Sequence, residues 1–117
     1  MKSKWKELSN TQLDITIAQM TGFNFTSLVN IPNYSSNESA SSIAQAAAIK
    51  LDPVQYVRNL SLVKWEDAVD PEEVALWNTI EIQSVADLLD ASPRHRAEAV
   101  YLTYRYFNGE REDADNV

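Results

Sequence analysis

Residues 92–107 read SPRHRAEAVYLTYRYF, and this stretch decides the fold. Ser92 followed by Pro93 is a helix start: a hydroxyl that caps free backbone N–H groups, then a proline at the first helical position. Beyond it Ala97, Val100, Tyr101, Tyr104 and Phe107 form one apolar stripe at helical spacing, and Ala99, Leu102 and Tyr106 form a second. A helix apolar on two sides is surrounded by other elements, so this segment predicts the central helix of its domain, ended by Gly109. The stretch also holds the one histidine, His95, and sets Arg94 and Arg96 in the first helical turn. The helix macrodipole disfavours cations there, so something negative, within the chain or bound to it, should compensate both arginines.

Working outward, the rest of the chain predicts helices around this one. Ser9 and Gln12 have capping-box spacing, Leu13, Ile17 and Met20 share one face, and Gly22 ends the helix. Ser35 and Glu38 have the same spacing and predict a helix over about 37–50 with Ala40, Ile43, Ala44 and Ala47 as its buried stripe. Asp52-Pro53 opens a further helix towards Val69 in which Tyr56, Leu60 and Val63 share a face, with a strand over 54–65 as the alternative. Asp70-Pro71-Glu72-Glu73 repeats the start signal, and Ser84 is a cap for a short helix through Leu89. Between them, Thr79, Ile80 and Ile82 raise strand propensity near 77–83. Residues 24–42 are rich in Ser, Thr and Asn and predict a long loop around 23–35. The expectation is a mainly α, compact single domain of four to five helices over residues 1–109, with room for a short β element near 77–83, and an acidic flexible tail at 110–117. An α+β sandwich is the alternative.

Composition narrows the function classes. The 117 residues carry 17 acidic and 10 basic side chains, a net charge of −7. That sign opposes non-specific binding to nucleic acid backbones. With no cysteine, disulfides and thiolate metal sites are excluded. No run reaches the roughly 18 apolar residues of a membrane helix, and the N-terminal basic residues are not followed by the apolar run of a signal peptide. Glycine-rich phosphate loops, HExxH and calcium-loop patterns are absent. Carboxylate pairs such as Asp87/Asp90 read as solvated helix faces. The expectation is therefore a non-enzyme with no cofactor and no metal.

Two candidate surfaces remain. Ser92, Arg94, His95 and Arg96 at a helix N-terminus combine amide donors, a hydroxyl and guanidinium forks, which suits a phosphate or carboxylate, with Tyr101 or Tyr104 available to stack on a base. The competing reading is internal: Asp90 and Glu98 lie four residues either side of Arg94. The second surface is the polar loop with aromatic anchors Phe23, Phe25 and Tyr34, composed like a recognition loop, together with the acidic run from Glu66 to Asp90, which suits a basic partner. The aromatic content, with three tryptophans and five tyrosines, also suits a homo-oligomer.

Three stretches, LSNTQLDITIAQMTGF, IPNYSSNESASSIAQA and SPRHRAEAVYL, resemble small phage and prophage proteins of the ABA-sandwich group. The resemblance implies a sheet between helices, no enzymatic activity and a cytoplasmic setting in an infected bacterial host. Three functions follow as expectations. The first is an accessory protein, including a counter-defence protein, that binds and neutralises a host protein. The second is a sponge for a phosphorylated nucleotide signal at Ser92–Arg96. The third is a structural or regulatory component acting by self-association.

Overall fold

Residues 92–107 do form the central helix. The computed structural model describes residues 4–22, 31–65 and 82–109. Among these it has six helices and no strand: α1 (Lys4–Glu7), α2 (Asn10–Met20), α3 (Glu38–Leu51), α4 (Pro53–Lys64), α5 (Ile82–Leu89) and α6 (Pro93–Phe107). The domain is mainly α. α2, α3 and α4 all pack on α6, and every α6 residue from Ala97 to Thr103, with Arg105, is buried. The two-stripe reading holds through Leu102. It fails at the end, where Tyr106 and Phe107 face solvent and Tyr104 is half-buried.

Local chemistry sets the helix ends. Ser9 and Gln12 form the capping box: the Gln12 N–H donates to Ser9 Oγ at 3.1 Å and the Ser9 N–H to Gln12 Oε1 at 2.8 Å. Leu13 and Ile17 are fully buried, and Gly22, at φ +76°, supplies the left-handed residue that ends α2. Asp52 closes α3 and caps α4, so one residue makes the corner between them; its side chain accepts the Gln55 N–H at 3.0 Å. Its extended backbone is what a residue before proline adopts. Residues 54–64 are helical, resolving the helix-or-strand alternative, with Tyr56, Leu60 and Val63 buried as their spacing predicts.

Five expectations are corrected. Asn37, not Ser35, caps α3, its side chain accepting the Ala40 N–H at 2.9 Å; Ser35 is buried, and its N–H donates to buried Asp14 Oδ1 at 2.8 Å, pinning the incoming chain to α2. The inward face of α3 is Ser41, Ala44 and Ala48. These small side chains allow close approach to α6, whereas Ile43 lies about 100° around the helix from Ala44 and is turned out. α4 stops at Lys64 rather than Val69, with Trp65 as its C-cap. α5 already begins at Ile82, so Ser84 lies inside it rather than at its cap, and Ile82 and Gln83 are helical rather than β. The sheet implied by the family resemblance has no counterpart among the described residues, where helices pack directly on α6. Residues 77–81, the start signal at Asp70–Glu73, Phe23, Phe25 and the tail 110–117 lie outside the described residues. No described helix is long and apolar enough to cross a membrane.

Candidate functional site

The first turn of α6 is built as its sequence suggests. Ser92 is extended and its Oγ accepts the His95 N–H at 3.1 Å, with Pro93 at the first helical position. The arginines, however, turn into the protein. Arg94 Nε donates to Glu98 Oε2 at 2.9 Å, Nη1 to Asn10 Oδ1 at 2.9 Å, and Nη2 to the carbonyls of Trp5 and Leu8, both at 2.8 Å. Four of the five donors of a guanidinium thus have acceptors within the chain. Two of those acceptors are carbonyls in and just after the short helix α1, where backbone acceptors are left without helical donors. Arg94 fastens α1 and the start of α2 to the central helix. Glu98 pairs with it as the spacing suggests; Asp90, the other expected partner, does not and is exposed.

Arg96 reaches a different element. Its Nη1 pairs with Glu38 Oε1 and lies 3.5 Å from Ser41 Oγ. Glu38 sits in the first turn of α3, where an anion suits the helix dipole. Both arginines therefore have long-range partners, and their position in an unfavourable first turn is explained by reach: from there the side chains extend past the helix end to α1, α2 and α3.

The remaining candidate residues do not converge on this point. Tyr101 and Tyr104 lie about 10 Å and 15 Å further along the helix axis than Arg94. Tyr101 is buried, its hydroxyl accepts from Arg105 Nη1 at 2.6 Å, and the Arg105 guanidinium carbon is 5.2 Å from its ring centroid. Its ring already has a cation beside it. Tyr34, expected at a recognition surface, is a core residue; Pro32 and the turn that follows bring it against α2, near Asp14 and Thr21. Burial pushes the Tyr34, Tyr56 and Tyr104 phenols above the usual tyrosine range; the Arg96 charge works the other way on Tyr56, as a hydrogen bond with Thr21 does on Tyr34.

An open, polar cleft of about 470 Å³ lies beside the α6 start, lined by Lys6, Leu8, Ser9 and Asn10 on the N-terminal side, Val63 from α4, and Arg94, His95 and Glu98 from α6. The sequence pointed to three of its features, Arg94, His95 and Glu98, and missed the Lys6–Asn10 wall, which is 84 to 86 residues away from Arg94 at the contacts made. Sequence reasoning also missed a buried polar link between α4 and α6. There Asn59 Nδ2 donates to Thr103 Oγ1 at 2.9 Å and Asn59 Oδ1 accepts from Gln55 at 3.0 Å. Among the described residues no three His, Asp or Glu side chains gather as a metal-binding group. No protein-family model matches the chain, and no curated protein and no solved structure matches it.

Proposed function

We propose that this chain is a non-enzymatic binding protein that acts by holding another protein. One observation carries the reading: large apolar side chains on three separate helices face solvent, Ile43 on α3 at 71% exposure, Leu89 on α5 at 76% and Phe107 on α6 at 60%. Apolar helix faces without a partner are the usual means by which helical domains recognise other proteins. The phage setting, and a host protein as the target to be neutralised, rest on the resemblance of the three sequence stretches. Self-association through the Ile43 or Phe107 face is the homotypic form of this reading.

The test is a photo-crosslinking scan in bacterial lysate, with p-benzoylphenylalanine placed at Ile43, Leu89 and Phe107, and at exposed Glu7 as the control. One protein captured from the apolar positions and absent from the control supports the reading. Capture of nothing, or equal capture at Glu7, rejects it.

A second reading is favoured by the cleft beside the α6 start: a sponge for a small phosphorylated nucleotide. Lys6 and Arg94 bring two cations to the cleft, with His95 beside them and the Glu98 carboxylate in the same wall. Its weakness is that an incoming phosphate must displace the Asn10, Glu98 or carbonyl bonds of Arg94. A nucleotide at about 100 times its dissociation constant would raise stability by about 2.7 kcal/mol, so a thermal-shift panel separates the two readings.

A further inference from the structure

We infer that the outward face of α5 docks a basic polypeptide segment carrying apolar anchors; the inference rests on the protein-binding reading and names its partner's chemistry. α5 turns Leu88 inward, and Ala91, just beyond it, is buried, while Val85 and Leu89, one helical turn apart, are exposed on a common strip with Ala86. Asp87 and Asp90 are exposed beside that strip. From Glu66 to Asp90 the sequence holds eight acidic residues and no lysine or arginine.

Charge complementarity selects the occupant. Lys64 from α4 reaches this helix only at the Asp87 backbone carbonyl, so the apolar strip flanked by the Asp87 and Asp90 carboxylates attracts a cationic partner and repels an acidic one. A second copy of this chain, at net charge −7, would set the same acids against each other, so this strip is not the self-association face. Nucleic acid and anionic membranes are excluded by the same sign. The partner segment carries lysines or arginines around apolar side chains that cover Val85 and Leu89, the arrangement of a basic amphipathic helix laid along an apolar strip.

The experiment uses fluorescence anisotropy with a labelled leucine/lysine peptide whose leucines form one helical face. The companion probes are its glutamate counterpart and a version with the leucines replaced by serine. The leucine/lysine peptide is expected to bind the wild-type protein and the other two to bind at least about tenfold more weakly. Val85→Ser/Leu89→Ser should weaken binding about tenfold, as should raising salt from about 50 to about 300 mM. Val54→Ser, on the exposed side of α4, should leave it unchanged. All these side chains are exposed, so circular dichroism should show an unaltered fold. Failure of the peptide to bind, unchanged binding by Val85→Ser/Leu89→Ser, or an equal loss in Val54→Ser would overturn the assignment. If crosslinks from Ile43 or Phe107 still capture a protein in that case, the protein-binding reading survives and only this face is lost; if no position captures one, both fall.

Discussion

Replacing Arg94 by glutamine tests whether the first-turn arginines serve the fold. The substitution removes the charge and most of the reach of a side chain that makes four hydrogen bonds. One of these is an ion pair with Glu98, whose side chain is 8% exposed against 25% for Arg94. Breaking a fully buried pair costs about 3–5 kcal/mol, and the partial exposure of Arg94 lowers that figure. The three bonds to neutral acceptors add roughly 0.5–1.5 kcal/mol each at most. Relief of an unfavourable charge–dipole contact returns about 0.3–1 kcal/mol. The expected net loss is about 3–6 kcal/mol, a melting temperature lower by roughly 10 °C or more for a domain of this size. Arg96→Gln is the internal comparison. Its partner Glu38 is 66% exposed, so its loss should stay near 1 kcal/mol or below. Differential scanning calorimetry of both variants decides the matter. An unchanged or raised melting temperature in Arg94→Gln, or a larger loss in Arg96→Gln, would refute the clamp.

Other expectations follow from the packing. Ala48→Leu, at a fully buried site facing into the bundle, should destabilise by about 1–3 kcal/mol through overpacking, whereas Ala46→Leu on the exposed side of α3 should stay within about 0.5 kcal/mol; urea midpoints compare them. Asn59→Ala should cost about 1–3 kcal/mol by removing the partner of Thr103 and Gln55, with Gln55→Ala costing less because that side chain is half-buried. Tyr56 is the clearest pH probe. Its folded phenol is raised above the ordinary value of 10.0 by burial, so between the unfolded and folded values the unfolded chain binds fewer protons and stability falls as pH rises. The contribution is fully present below pH 10.0 and is lost above it. Urea midpoints between about pH 8 and pH 11 should fall steeply in the wild type and less steeply in Tyr56→Phe.

Much of this architecture is legible in the residues because it is set locally. Ser9 with Gln12, Asp52 with Pro53 and Ser92 with Pro93 satisfy amides within three residues, so sequence spacing suffices to find them. The central position of α6 is legible because only a surrounded helix can hide apolar residues on two sides. Where two capping residues compete within one turn, spacing does not choose: Ser35 and Asn37 both suit α3, and the buried Asp14 bond takes Ser35 away. The outward turn of Ile43 is hidden for a related reason. Hydrophobicity favours Ile43 as core, but close helix approach favours Ser41, Ala44 and Ala48, and approach distance is a tertiary property. The arginines were legible as an anomaly and not as a solution. Their main acceptors, backbone carbonyls of Trp5 and Leu8 and the Glu38 carboxylate, carry no sequence signal and stand 58 to 89 residues away.

The central claim is that Arg94 serves the fold and that recognition lies on the apolar helix faces, and nitrogen-15 NMR of the arginine Nε–H groups tests it most directly. With Nε held by Glu98 at 2.9 Å, the Arg94 Nε–H should exchange slowly with water, and inorganic phosphate or a panel of mono- and cyclic nucleotides at millimolar concentration should leave its resonance in place. A fast-exchanging Arg94 Nε–H that shifts in a saturable way on adding one of these anions would contradict the account and make the α6 start the binding site.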